Sequence, residues 1–317
     1  MELAHLPTPV ENLSHLTRLL GGPEILIKRD DQTGLAFGGN KTRKLEYLMA
    51  DALEQGAKMV LTTGAAQSNH CRQTAAAAAR CGLDCTLVLV GPQPDRPSSN
   101  LFLDQLLGAK IIWTEKSSRD ESLKSAYQNA KEQKKNPYLI PYGGSNSLGA
   151  YAYLKAFEEL TIQLENNLPD WIVFASSSGG TQAGLMIGSV LGGQPIKILG
   201  ISVDDSERHL KDSILGIAAE LTDHLNLDQK LDPDHILVND NYTGDGYGVM
   251  NGMDQEAVQI FARQEGIFLD PVYSGRAGAG LIDLIRKRHF GKDQQVLFWH
   301  TGGTPALFAD RYMSKLL

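Results

Sequence analysis

The sequence predicts an α/β fold built on parallel sheet, and three observations carry this. Short β-branched apolar runs alternate with longer stretches of helical period, the pattern of successive βαβ units. Glycine-rich loops fall where those runs end and helices begin. The composition, 42% hydrophobic and 21% charged, is that of a globular chain. Taken in order, strands are expected at 25–28 (Ile-Leu-Ile-Lys), 59–63, 85–90 (Cys-Thr-Leu-Val-Leu-Val), 110–113, 138–140, 171–175 (Trp-Ile-Val-Phe-Ala), 198–203 and 296–299 (Val-Leu-Phe-Trp). The helices expected between them span 42–55, 69–80, 98–107, 120–133, 147–164, 182–191, 253–265 and 277–289. Ala75 to Ala79 is a run of the best helix former inside one of these, read as close helix packing. The breaker-rich stretch 91–97, Gly-Pro-Gln-Pro-Asp-Arg-Pro, reads as a surface loop and not a domain linker, because similar units continue on both sides.

A chain of 317 residues corresponds to roughly two domains. Its net charge of -7 argues against a nucleic-acid binder, which carries a basic footprint. The cysteines Cys71, Cys81 and Cys85 form neither a disulfide framework nor the paired spacing of a zinc site, which points to a reducing compartment. With no basic n-region at the start and no long apolar run, a cytoplasmic protein without membrane contact is expected.

Glycine is the outlier, 32 residues against ~22 at average usage. The surplus gathers in five loops: Gly38-Gly39-Asn40-Lys41, Gly64 to Asn69, Gly143-Gly144-Ser145, Ser176 to Thr181, and Thr301 to Thr304. Open α/β sheets bind ligands at the carboxyl ends of their strands, so five such loops suggest one extended ligand bearing an anionic group. Ser176 to Thr181 brings hydroxyls and two glycines to a helix start, which suits a phosphate or a simple serine N-cap. Neither G-x-G-x-x-G nor G-x-x-x-x-G-K-[ST] is present, since Asn40 intrudes before Lys41. Lys41 follows two glycines at a helix start, with Arg43 and Lys44 close behind. Nearby positive charge and the helix N-terminus should both lower its pKa, the condition that imine chemistry requires.

Hydrolase readings fare poorly. Gly143-Gly144-Ser145-Asn146-Ser147 breaks the nucleophile elbow at its last position, and His70 and His300 lack metal-ligand spacing. No metal site is expected. Each of these histidines, taken alone, reads as a packing or loop-bonding residue.

The ordered motifs resemble a known family. Lys28-Arg29-Asp30-Asp31, Gly38 to Glu46, Gln67-Ser68-Asn69-His70-x-Arg72-Gln73-Thr74, Ser178 to Gly184, Asp270 to Gly275 and His300 to Leu307 are similar to the pyridoxal-phosphate enzymes of the tryptophan synthase β fold. Within it they resemble the branch holding D-cysteine desulfhydrase and 1-aminocyclopropane-1-carboxylate (ACC) deaminase. The resemblance implies fold type II: two open, twisted, mainly parallel sheets flanked by helices. Residues 1–44 and 151–317 would form a large cofactor-binding domain and 45–150 a small one, with the cofactor in the cleft and two chains in a homodimer.

The resemblance also implies roles. Lys41 would carry the cofactor through an imine. Ser177, Ser178, Gly179, Gly180 and Thr181 would hold its phosphate, with Lys44 as a further contact, and Asn69 would bond its phenolic oxygen. Ser68, Asn69 and His70 would receive the substrate carboxylate, and Tyr247 and Tyr273 match the family's active-site tyrosines. ACC deaminases carry Glu after the second tyrosine and Leu before the final Gly-Gly, where this chain has Ser274 and Thr301. A neutral hydroxyl at the pyridine nitrogen leaves it largely unprotonated, which suits loss of a good leaving group from a β-carbon and not opening of the ACC ring. The expectation is α,β-elimination of D-cysteine to pyruvate, sulfide and ammonia, with Lys41 as base and the tyrosines assisting proton transfer. The alternatives are an L-cysteate, β-chloroalanine or serine-type lyase, then ACC deamination. A non-catalytic binding protein on the same scaffold is a different class, which a yellow cofactor and pyruvate release would exclude.

Overall fold

The computed structural model describes residues 1–165, 167–193 and 196–316. Ten strands form two sheets among these residues. The larger sheet contains β1 (Val10–Asn12), β2 (Glu24–Arg29), β7 (Trp171–Ser176), β8 (Lys197–Ser202), β9 (Leu237–Asn239) and β10 (Gln295–His300), in the order β1-β2-β10-β7-β8-β9. The smaller contains β3 (Met59–Ala65), β4 (Asp84–Val90), β5 (Lys110–Thr114) and β6 (Pro137–Leu139), in the order β5-β4-β3-β6. All pairings are parallel except β1 with β2 at the edge. The two-sheet, mainly parallel architecture is the one the resemblance implies.

The strands read as continuous apolar runs because both faces of each sheet are covered. Ile25 and Ile27 of β2, Val173 of β7, and Val296 and Phe298 of β10 enter one core. Their neighbours Leu26, Ile172, Phe174, Leu297 and Trp299 enter another on the opposite face. That alternation is the period-2 geometry of a strand buried on both sides. In the smaller sheet Val60 and Leu87 face one cluster, Leu61 and Val88 the other.

Several predicted helix boundaries shift by a few residues at the loops that matter. The helix expected from 182 begins at Gly180, the one expected from 277 begins at Ser274, and the one expected from 42 begins at Asn40. Five elements were absent from the sequence expectation: β1, β9 and the helices Ser14–Leu20, Glu207–His224 and Asp310–Leu316. The long one was readable. Ser206 caps it by accepting from the His209 amide, and Leu210, Ile214, Ala218 and Leu221 recur at helical spacing on its buried face.

Glycine permits the closest approach between the two halves of the site. Gly302 (φ +89°) and Gly39 (φ +126°) lie so near that a Cβ on Gly302 would stand 2.6 Å from the Gly39 Cα. The loop after β10 is thereby seated against the loop that enters the Lys41 helix.

Candidate active site

The carboxyl ends of β3, β6, β7 and β10 open onto one cavity of about 600 Å³, its mouth to solvent included. All five glycine loops contribute to its wall: Asn40 and Lys41; Ser68, Asn69 and His70; Gly143; Ser177 to Gly179; and Thr301 with Gly302.

Lys41 occupies the first turn of helix Asn40–Glu54. Its amine makes no hydrogen bond or ion pair among the described residues, and burial lowers its pKa to about 8. The direction matches the sequence argument, but the cause differs. Arg43 turns away from the cavity and donates to Asp30 and Glu159, at 2.9 and 2.8 Å from Nη2, so its charge is neutralised within the protein. Lys44 is the neighbour that yields: burial and then the charge of Lys41 push it well below its ordinary value. Its Nζ donates to Ser145 Oγ at 3.2 Å, and Ser145 shares a 2.7 Å hydrogen bond with Ser178. Lys44 thus stands one hydroxyl behind the loop and is not on the cavity wall.

The loop after β7 enters helix Gly180–Leu191, whose first internal bond runs from the Ala183 amide to the Gly179 carbonyl. The amides of Gly179 and Thr181 therefore lack helical acceptors, and such groups at a helix start attract an anion. The hydroxyls of Ser178 and Thr181 surround them, while Ser177 donates to Asp204 at 3.1 Å. A second helix start faces the same space. Ser68 caps helix Asn69–Cys81 by accepting from the Cys71 amide at 3.2 Å, which leaves the Asn69 and His70 amides without helical acceptors. The Nε2 of the His70 ring is taken by Thr62 at 2.8 Å, while its buried Nδ1 has no partner among the described residues. His300 is buried and bonds the Phe268 carbonyl and the Gly302 amide, the loop-bonding role read from sequence.

Tyr273 lines the cavity, and Tyr247 stands behind it with the hydroxyls 2.5 Å apart. Burial holds both phenols well above their ordinary pKa, so they remain protonated. Thr301 and Ser274 part company. Thr301 is on the wall, whereas the Ser274 hydroxyl donates to Asp270 at 2.7 Å and accepts from the Asp270 amide at 2.8 Å. Sequence reasoning passed over Tyr142, which lines the cavity with the Arg119 guanidinium 5.3 Å from its ring centre. It also gave Arg72 and Asn100 no role.

These groups fit pyridoxal phosphate: a buried amine with a lowered pKa, an anion-binding helix start across from it, and an apolar and hydroxyl-bearing wall between. Among the described residues no cluster of three metal-ligating side chains occurs, and no helix is long and apolar enough to cross a membrane.

The comparisons with known proteins agree with this chemistry. A family model for pyridoxal-phosphate dependent enzymes matches residues 1–302. The D-cysteine desulfhydrases of Salmonella typhi and Salmonella newport are each 42% identical over 316 residues, spanning 98% of this chain and 95% of theirs. A solved ACC deaminase homologue is 36% identical with a TM-score of 0.90, over 100% of this chain and 94% of that one. An L-serine ammonia-lyase from the fungus Rhizomucor miehei, 16% identical with a TM-score of 0.69 over 99% of each chain, shares the fold alone. On these grounds the chain belongs to the pyridoxal-phosphate dependent enzyme family.

Proposed function

We propose that this chain is a D-cysteine desulfhydrase, releasing sulfide from D-cysteine by α,β-elimination to leave pyruvate and ammonia. The observation that carries the reading is the cavity itself, where a lysine of lowered pKa, two unsatisfied helix starts and a protonated tyrosine converge. The 42% identity to D-cysteine desulfhydrases over nearly the whole chain supports the choice of substrate.

Bound pyridoxal phosphate supplies the electron sink for the pair left at the substrate α-carbon. Lys41 would hold it, with the amides and hydroxyls from Ser177 to Thr181 on the phosphate and Asn69 on the phenolic oxygen. Ser68 and the amides of Asn69 and His70 receive the substrate carboxylate. A lysine with a pKa of about 8 is far more often neutral near pH 7 than an ordinary one, about a tenth of the time, so Lys41 takes the α-proton. The tyrosines, held protonated by burial, are suited to donate and not to accept, so Tyr273 delivers a proton to the departing sulfur with Tyr247 bonded behind it. Thr301 supplies a neutral hydroxyl for the ring nitrogen.

This arrangement favours elimination over ACC ring opening, because among the described residues the cavity wall presents no carboxylate to hold a protonated ring nitrogen and offers the hydroxyl of Thr301 instead. The division into a large domain, 1–44 and 151–317, and a small one, 45–150, is supported by the smaller sheet's strands all lying between Met59 and Leu139. The three free cysteines support a cytoplasmic setting; a homodimer rests on the resemblance alone. A panel of D-cysteine, L-cysteine, L-cysteate, β-chloro-D-alanine and ACC, scored by keto-acid release, tests the substrate. D-Cysteine should give the highest kcat/KM among the natural amino acids, and preference for L-cysteate or ACC would overturn the proposal.

A further inference from the structure

An asparagine amide is nearly symmetric in shape, so which end points where is set by its partners. Here the polarity can be traced from a group that admits one reading. The guanidinium of Arg72 only donates. Its Nη2 donates to the Gly38 carbonyl at 2.7 Å and its Nη1 to the side chain of Asn100 at 3.0 Å. The Asn100 atom facing Arg72 is therefore oxygen. Its other end, a nitrogen, donates to the Gln67 carbonyl and to the Asn69 side chain, each at 3.1 Å. The Asn69 atom that receives this bond, and a longer one of 3.4 Å from Arg72, is therefore oxygen too. What remains is the Asn69 nitrogen, on a side chain that lines the cavity, with no hydrogen-bond partner among the described residues. Reversing either amide would set donors against donors at Arg72 and, for Asn100, oxygen against the Gln67 carbonyl.

The relay is built into the interior. Asn69 is 7% exposed and Arg72 and Asn100 are 0% exposed. Arg72 forms no ion pair among the described residues, so its charge is directed at carbonyl and amide oxygens instead. Asn100 sits at the start of helix Ser99–Leu106, packed on the helix that carries Asn69 and Arg72. An unsatisfied donor facing a cofactor oxygen is useful; an amide oxygen in the same place would repel it.

We propose that Arg72 and Asn100 are positioning residues that hold the Asn69 amide with its nitrogen toward the cofactor, so that Asn69 can only donate there. This rests on the reading that Asn69 faces the phenolic oxygen. The test uses purified holoenzyme, with two readouts besides turnover: the visible absorption of the bound cofactor, and its retention in equilibrium dialysis. Asn69→Ala and Asn100→Ala should each weaken retention about tenfold, the loss of one hydrogen bond to a charged acceptor, and lower the visible band. Because Asn100 acts through Asn69, the double variant should lose no more than Asn69→Ala alone. Asn100→Asp keeps the shape and the bond from Arg72 but sets an acceptor against the Asn69 oxygen, so its losses should be at least those of Asn100→Ala, and it carries the test if that variant fails to fold. An unchanged spectrum and retention in the Asn100 variants, or losses that multiply in the double variant, would overturn the positioning role while sparing that of Asn69. An unchanged Asn69→Ala would overturn both.

Discussion

Replacing Asp30 by Asn tests whether the helix bearing Lys41 is clamped to the sheet from below. The Asp30 carboxylate is fully buried just beyond β2 and accepts from Thr8 Oγ1 at 2.9 Å, Arg43 Nε and Nη2 at 3.0 and 2.9 Å, Tyr153 at 2.5 Å and Trp299 Nε1 at 2.8 Å. Asparagine has nearly the same shape but only one acceptor oxygen. With its nitrogen at one end it meets Trp299 and Arg43 Nε; at the other it meets Arg43 and Thr8. Either way the buried guanidinium loses one of its two carboxylate partners and keeps only Glu159, so the cost of a fully unpaired buried charge sets a ceiling of about 3–5 kcal/mol. With an unfolding entropy of ~2.1 cal/mol/K per residue, that ceiling corresponds to a Tm lower by about 4–7 °C for a chain of this length. Differential scanning calorimetry on holoenzyme at neutral pH measures it. The pH dependence supplies a second check. Burial alone would raise the Asp30 carboxyl, but the charge and hydrogen bonds of Arg43, with that of Tyr153, outweigh it and hold the pKa below the ordinary 3.8. The carboxylate therefore contributes fully above that value and its contribution is lost as pH falls through the folded pKa, so the gap between wild type and variant should close in acid. A Tm change under about 1 °C at neutral pH would refute the clamp.

Three further outcomes follow from the site. Burial disfavours the ammonium form of Lys41, so the rate at which cofactor-stripped protein takes up pyridoxal phosphate should rise with pH about a midpoint near 8; a midpoint near 10.5 would remove the argument. By the same shift the folded state binds fewer protons than the unfolded one between those values, so this lysine makes stability increase with pH across that window. Tyr273→Phe should lower kcat by ~10²–10⁴-fold with little change in KM, and Tyr247→Phe by much less, since Tyr247 meets the cavity only through Tyr273; equal losses would count against this order. Thr301→Leu should alter the absorption of the bound cofactor, whereas Ser274→Ala should chiefly cost stability, about 1–3 kcal/mol from its buried bonds to Asp270, as read by thermal denaturation.

Where local chemistry decides, the sequence was legible. Four of the five glycine loops follow the ends of β3, β6, β7 and β10, where a sharp turn and a close approach are both needed, whereas Gly38-Gly39 comes after two 3-10 turns beyond β2. Helix Glu207–His224 was equally legible from its cap and spacing. The failures are of another kind. Arg43 stands two residues from Lys41, and proximity in sequence suggested proximity of charge. Its partners are Asp30, thirteen residues earlier, and Glu159, more than a hundred later. No local pattern announces that a charge will be neutralised by a distant strand and helix, so the direction of the Lys41 shift was right and its cause was not. Ser274 is similar: its hydroxyl bonds Asp270, four residues before it, and its place after Tyr273 does not announce that partner.

A helix N-terminus serves twice in this cavity, with different demands at each. At Gly180–Leu191 the ligand group is a phosphate, which tolerates many donor placements, and backbone amides with hydroxyls suffice. At Asn69–Cys81 the first residue must also present a directed donor to a single oxygen, and a side-chain amide left to itself has two nearly equal orientations. Fixing one of them requires a group whose polarity cannot reverse, and arginine is such a group because it never accepts. Arg72 lies three residues from Asn69, one helical turn, and reaches it through Asn100 as well as directly. Its second hand holds Gly38, in the loop that leads to Lys41. One buried cation thus ties the orientation of the donor to the position of the lysine, so a substitution there should disturb cofactor attachment and cofactor absorption together.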